Sequence, residues 1–238
     1  MSAKLVIIPT LNEVENIENI IKSIFALPAD FSILIVDDQS NDGTQEKILE
    51  QAEKNKRLYY LFRKGQKGLG RAYVAGFKWA LNKDFDYIFQ MDADFSHDPE
   101  DLLKLYKTCH EFNYDMAIGS RYVKGVNVVN WPMKRILLSW LASKYVKFIT
   151  RMPIEDATAG FVCYKRKILK NLNLNKIQFV GYAFQIEMKY KVYLHKYKIK
   201  EVPVIFTDRE KGKSKMSARI IKEAVFGVLK LKLQKHNT

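Results

Sequence analysis

The chain has 238 residues, 47% hydrophobic and 28% charged, which suits one sizeable core and excludes a disordered polymer. Lys and Arg number 40 against 26 Asp and Glu, a formal net charge of +14 that calls for polyanionic company: phosphorylated substrates, anionic lipid headgroups or nucleic acid. Only Cys109 and Cys163 occur, both in apolar patterns, so they read as small core residues in a reducing compartment rather than as a metal site.

In chain order, residues 4–9 read as a strand buried on both faces, with Leu5, Val6, Ile7 and Ile8 in an unbroken apolar run. Ile17, Ile20, Ile21, Ile24 and Phe25 follow helical spacing. A second buried strand spans 31–36 and ends at Asp37-Asp38; a helix over 44–55 and a strand over 58–62 follow. A glycine-rich loop at 65–70 opens a helix that runs to about Asn82. The loop lacks the spacing of a P-loop or a dinucleotide fingerprint and reads as backbone brought close to a nucleotide or sugar. Residues 86–90 form the strand that leads into Asp92-Ala93-Asp94. Beyond it come a strand at 116–118, a helix at 133–151 rich in large apolar residues and bases, a strand at 161–164, a helix at 182–197 and a strand at 201–206.

Strands alternating with helices predict an α/β fold with a mostly parallel central sheet flanked by helices. Ligands of such sheets bind beyond the carboxyl ends of the strands. Those ends carry polar clusters at 9–13, 37–42, 65–70 and 92–94. Carboxylates at i and i+2 of an extended segment point to one side, so Asp92 and Asp94 can reach one site, and hard cations such as Mg²⁺ or Mn²⁺ prefer such oxygen ligands. No repeat, low-complexity tract or linker breaks the chain, which reads as a single domain over 1–238. Within it, about 1–118 form a nucleotide-binding half, 119–216 an acceptor and phosphate-binding half, and 217–238 a basic amphipathic C-terminal helix.

Several motifs occur in a fixed order: Pro9-Thr10-Leu11-Asn12-Glu13, Asp37-Asp38-Gln39-Ser40-x-Asp42-Gly43-Thr44, Asp92-Ala93-Asp94-x-Ser96-His97-Asp98-Pro99 and Gly119-Ser120-Arg121-Tyr122. They continue with Asn130-Trp131-Pro132-x-Lys134-Arg135, Asp156-x-Thr158-x-Gly160-Phe161 and Arg209-x-x-Gly212-x-Ser214-Lys215. This set, over roughly residues 4–218, resembles the family-two glycosyltransferases with the GT-A (Rossmann-like) nucleotide-sugar-binding fold, and within them the polyprenol-phosphate (dolichol-phosphate) mannose synthases.

The resemblance implies that Pro9, Asn12, Glu13, Asp37, Asp38 and Asp92 bind the nucleotide. It implies that Asp94, with Asp92 and Ser96, holds Mg²⁺ or Mn²⁺ on the diphosphate. Ser96 stands where some relatives carry Gln, and Leu11 replaces the aromatic residue usual in the family. Arg121, Arg135, Arg209 and Lys215 would converge on phosphates and, with Asp94, carry catalysis. Asp156, Arg121 and Arg135 would face the acceptor. His97 and His110 read as structural. A phosphate acceptor needs no strong base, because its second pKa of about 6 leaves it largely ionised near neutrality; for a hydroxyl acceptor, Asp156 would be the base.

The expected activity is metal-dependent inverting transfer of mannose from GDP-mannose to a polyprenyl or dolichyl phosphate. Rivals are a UDP-sugar donor such as UDP-glucose, a saccharide hydroxyl acceptor, and a basic nucleic-acid-binding protein, the last lacking recognisable binding motifs. No nucleic-acid partner is expected. The N-terminus lacks a charged leader, and no stretch approaches the ~20 apolar residues of a membrane span. A cytoplasmic protein is therefore expected, peripheral at the cytoplasmic face of a membrane. Residues 133–151 and 217–234, mixing large apolar side chains with bases, would lie on its surface, directly or through a small membrane-anchoring partner.

Overall fold

The computed structural model describes residues 2–181, 183–208 and 218–233, with the backbone but not the side chains of 218–225. The first half alternates as expected: β1 (Lys4–Thr10), α1 (Ile17–Phe25), β2 (Phe31–Asp37), α2 (Thr44–Lys54), β3 (Leu58–Phe62), α3 (Leu69–Leu81), β4 (Tyr87–Gln90) and α4 (Asp101–His110). There follow β5 (Met116–Ser120), β6 (Val128–Val129), α5 (Met133–Thr150), β7 (Val162–Lys165), α6 (Arg166–Asn171), α7 (Ala183–Leu194), β8 (Ile199–Pro203), β9 (Phe206–Thr207) and α8 (Ala218–Leu233).

The main sheet has seven strands in the order β3-β2-β1-β4-β7-β5-β8. All pairings are parallel except those of β7, which runs antiparallel between β4 and β5. The apolar run of β1 shows why the sheet needs covering on both sides. Leu5 and Ile7 pack with Leu34, Val36, Tyr73 and Phe77 in one cluster, while Val6 and Ile8 pack with Ile33, Ile35, Ile20 and Ile24 in the other. Alternate residues of one strand thus feed two cores. The strand predicted at 201–206 is two pieces, β8 and β9, and β9 leaves the sheet to pair in parallel with β6.

The pair Asp92 and Asp94 follows β4 rather than lying within it, on a bent segment where Phe95 takes a positive φ of 56°. The shared site therefore arises from a turn, not from the pleat of a strand.

The glycine loop has a reason internal to the fold. A Cβ on Gly70 would meet the Phe179 carbonyl at 2.7 Å and the Phe184 ring at 2.9 Å, so its absence lets the start of α3 sit against the segment before α7. The Gly70 amide donates to the Val180 carbonyl at 2.8 Å.

Helix α8 packs on α5 and α7, burying Val228 and Leu231. Helical spacing predicts one packed face from Ile221, Ala224, Val225, Val228 and Leu229, with Phe226 and Leu233 off it; Phe226 and Leu233 do stand 69% and 82% exposed, but Leu229 is 39% exposed. Ile221, Ala224 and Val225 fall where side chains are not described. Among the described residues no helix is long and apolar enough to cross a membrane.

Gly76 marks where α3 meets β1: a Cβ there would lie 2.7 Å from Ile7 Cγ2. Gly76→Ala is expected to lower the unfolding free energy by about 1–3 kcal/mol despite the better helix propensity of Ala. Urea unfolding measures it; wild-type stability would mean that Ile7 gives way without cost.

Candidate active site

The carboxyl ends of β1 and β2 are stitched into one rim. Asp37 is fully buried and accepts hydrogen bonds from Thr10 Oγ1 (2.9 Å), the Ser40 amide (2.9 Å), Ser40 Oγ (2.5 Å) and Gln45 Nε2 (2.5 Å). These donors hold Asp37 in place at the rim. Asn12 likewise faces the protein through Oδ1, which accepts the Asn41 amide at 3.0 Å, while its own amide donates to Ser40 Oγ. Glu13 accepts Asn16 Nδ2 through Oε2 at 3.1 Å, and Pro9 is half-buried at the end of β1. Asp38 forms a buried ion pair with Arg63 and accepts the Gly68 amide at 2.7 Å, tying the glycine loop to the same rim.

The next strand end presents Asp92, Asp94 and Ser96. Tyr73 Oη donates to Asp92 Oδ1 at 3.4 Å. Asp94 Oδ1 accepts the Ser96 amide at 3.1 Å, an Asx turn that fixes the loop. Ser96 Oγ is buried with no hydrogen-bond partner among the described residues. Two carboxylates and an unsatisfied hydroxyl on one short loop suit a hard divalent cation, with the remaining positions left to substrate oxygens and water.

His97 anchors this loop. Its ring stacks on Phe161 at 4.8 Å and meets the edge of Phe206 at 4.9 Å. Burial, opposed by the nearby Asp94, pulls its pKa down to about 4, so it is neutral and structural. His110, bonded to Tyr87 Oη at 3.1 Å, is structural too.

Across the sheet, at the end of β5, Arg121 and Asp156 form a pair that no motif announced. Arg121 Nε donates to Asp156 Oδ2 at 2.7 Å, Nη2 to Oδ1 at 2.6 Å, and the Arg121 amide to Oδ2 at 3.0 Å. Nη2 also reaches Thr158 Oγ1 at 2.8 Å. Burial alone would raise the Asp156 pKa, but the guanidinium outweighs it and holds the carboxyl below its usual range. Such a carboxylate is a poor proton acceptor. The Arg121 guanidinium also sits 5.3–5.5 Å from the rings of Tyr122, Trp131 and Phe206.

Arg135, in the first turn of α5, lies 4.0 Å over Trp131 and is bonded to Asp208 Oδ1 at 2.7 Å. Phe206 touches His97, Trp131 and Arg121, so it joins the Asp92–Asp94 side to the arginine side. Arg209 and Lys215 lie outside the described residues, as does Tyr182.

Three buried polar residues of α7 escaped the motifs: Gln185, Glu187 and Lys189. Glu187 Oε2 accepts the amides of Gln178 and Phe179. Lys189 Nζ donates to the Ala159 carbonyl at 2.6 Å and the Gln185 carbonyl at 3.3 Å. Burial lowers the Lys189 pKa to about 7. Their signal in the sequence is polar side chains at alternate positions of a helix apolar on every face.

The sequence model described as glycosyl transferase family 2 matches residues 5–172. A polyprenol monophosphomannose synthase of Mycolicibacterium smegmatis is 42% identical over 225 residues, covering 94% of this chain and 84% of its own length. An undecaprenyl-phosphate mannosyltransferase of Micrococcus luteus is 38% identical over 224 residues, covering 94% and 91%. Among solved structures, glucosyl-3-phosphoglycerate synthase of Mycobacterium tuberculosis, in complex with Mn²⁺, UDP-glucose and phosphoglyceric acid, superposes with a TM-score of 0.70 at 15% identity, covering 97% of this chain and 79% of that one. That likeness establishes the GT-A arrangement of the sheet and its flanking helices.

Asp156→Asn should cost about 3–5 kcal/mol of stability, because it leaves the Arg121 guanidinium buried without its counter-charge. Denaturant unfolding checks this. A variant of wild-type stability that loses all turnover would instead identify Asp156 as a base.

Proposed function

The chain belongs to glycosyl transferase family 2, and from that membership we propose that it transfers mannose from GDP-mannose to a polyprenyl phosphate of the dolichyl type, with inversion, at the cytoplasmic face of a membrane. That it is a glycosyltransferase follows from the family; the donor, acceptor and place are the proposal. The two curated relatives, matched over 94% of the chain, are both named for mannose and a polyprenyl phosphate, which supports the substrate pair.

The observation that carries the phosphate acceptor is the state of Asp156. Its carboxylate is locked on Arg121, and His97 is buried between aromatic rings, so neither is placed to take a proton from a hydroxyl. A lipid phosphate near neutrality needs no such group. One of its oxygens attacks the anomeric carbon as the bond to the nucleoside diphosphate breaks, the electron pair leaving with the diphosphate.

Pro9, Glu13 and Asp38 line the nucleotide side of the rim, with Asn12 and Asp37 holding its shape. Asp92, Asp94 and Ser96 would hold Mg²⁺ or Mn²⁺, which stabilises the charge of the departing diphosphate when bound. Arg135, with Arg209 and Lys215, would meet the acceptor phosphate, where Arg offers planar bidentate contact. Arg121 braces this side from beneath through Asp156 and its ring of aromatics.

Helix α5 supports the membrane assignment. Met133, Leu137, Leu138, Leu141 and Phe148 are exposed, Phe148 at 81%. Lys147, Phe148 and Arg151 share a cleft with Leu229, Lys232 and Leu233 of α8. Apolar tips among bases suit an anionic lipid surface.

With a short polyprenyl phosphate, Mg²⁺ or Mn²⁺ and radiolabelled GDP-mannose, label should enter the organic phase; label from UDP-glucose alone would move the donor and overturn the mannose assignment. Asp94→Ala should cut turnover at least about a hundredfold while the protein stays folded by circular dichroism, and near-normal activity would sink the metal assignment. Phe148→Glu combined with Leu233→Glu should reduce co-sedimentation with anionic vesicles while leaving nucleotide affinity unchanged. Unaltered sedimentation would remove this face from the membrane contact.

A further inference from the structure

Gln185 lies in the first turn of α7, 2% exposed, and neither Nε2 nor Oε1 has a hydrogen-bond partner among the described residues. A buried amide left open at both ends is costly, and in a native fold it asks for a ligand or an ordered water. Its surroundings say where that ligand sits. An ideal Cβ on Gly160 would lie 3.6 Å from Gln185 Nε2 and 3.7 Å from Asp92 Oδ2.

Gly160 does not take a positive φ, so the backbone does not require glycine here. Its missing side chain leaves a small space, with an amide on one side and a carboxylate on the other. The walls of this space are held in place. Tyr73 Oη donates to Asp92 Oδ1, and Lys189 Nζ ties the carbonyls of Ala159 and Gln185 together.

We propose that Gly160 and Gln185 form the subsite for one hydroxyl of the transferred sugar, the hydroxyl donating to Asp92 Oδ2 and accepting from Gln185 Nε2. A hydroxyl carries one donor and two acceptor positions, so it suits a place between a carboxylate and an amide. Gln185 is then a specificity-determining residue, and the loop from Asp156 to Gly160 reads the sugar as well as bracing the acceptor side. A site with buried polar groups of this kind strongly rejects a substrate that lacks the matching hydroxyl. The inference rests on the donor being a nucleotide sugar, and it holds for whichever sugar the enzyme transfers.

Wild-type turnover with GDP-mannose and with UDP-glucose fixes the donor first, so a wrong donor assignment is exposed before any variant is compared. Calorimetry with Mn²⁺ then measures the affinity of that donor and of its bare nucleoside diphosphate for wild type, Gly160→Ala and Gln185→Leu. Gly160→Ala puts a methyl group where the hydroxyl would sit, at ordinary contact distance from its neighbours, so its fold should survive and it decides the matter even if Gln185→Leu does not fold.

Both variants should bind the diphosphate as wild type does. They should bind the sugar nucleotide about tenfold or more weakly, because Gly160→Ala displaces the hydroxyl from Asp92 and Gln185→Leu leaves it buried without the amide donor. Among monodeoxy donors, one should bind wild type and Gly160→Ala alike. Unchanged affinity for the sugar nucleotide would overturn the proposal. So would an equal loss for diphosphate and sugar nucleotide, which would place the effect on Asp92 and the cation instead of the sugar.

Discussion

The buried pair of Arg121 and Asp156 is the constraint around which the second half of the molecule is arranged. Taking both charges out of water is expensive, and the cost is offset only because the geometry is bidentate and the remaining lone pairs are filled. Asp156 receives three bonds from Arg121, and the amides of Glu155 and Asp156 are taken by Glu201 of β8 at 2.8 Å and 2.9 Å. The loop that follows is thereby fixed at its start. Its end is fixed by Lys189 on the Ala159 carbonyl, and the chain then enters β7. What lies between these anchors cannot drift: Thr158 on Arg121, and Gly160 beside Asp92.

The same pair links two chemistries that a reader of motifs would keep apart. Arg121 follows β5 and Asp92 follows β4, strands separated in the sheet by β7. His97 and Phe206 close that gap above the sheet, through ring contacts and through the bond from the Thr207 amide to the Ser96 carbonyl at 3.1 Å. The cation-binding loop and the aromatic ring around Arg121 therefore form one rigid platform. Preorganisation of this kind suits a reaction whose difficulty is bringing two polyanions together rather than moving a proton.

Much of this was legible in the residues. Runs such as Leu5–Ile8 have no polar alternate, so only a strand covered on both faces accommodates them, and the polar clusters that follow mark the site end. The Asp92–Asp94 pair and the structural roles of buried His97 and exposed His110 could also be read. The antiparallel β7 could not, because Val162–Lys165 is too short and too uniformly apolar to declare a direction; that is decided by partners distant in sequence. Nor could the pairing of Arg121 with Asp156, which are 35 residues apart and each plausible as a substrate contact alone. The bonds of Asp37 were hidden for a related reason: beside Asp38 in sequence, it bonds Thr10, Ser40 and Gln45 while its neighbour ties the glycine loop. Gln185, Glu187 and Lys189 were hidden because they stand on a helix whose spacing suggests only core.

The anchoring of the Asp156–Gly160 loop also shapes how this enzyme can vary. Arg121 and Asp156 share three bonds, Glu201 accepts the amides of Glu155 and Asp156, and Lys189 donates to the Ala159 carbonyl, so changes at these residues are not independent. A change at Arg121 or Asp156 alone leaves a buried charge without its partner, so altering this loop one residue at a time imports an incompatibility rather than a new specificity.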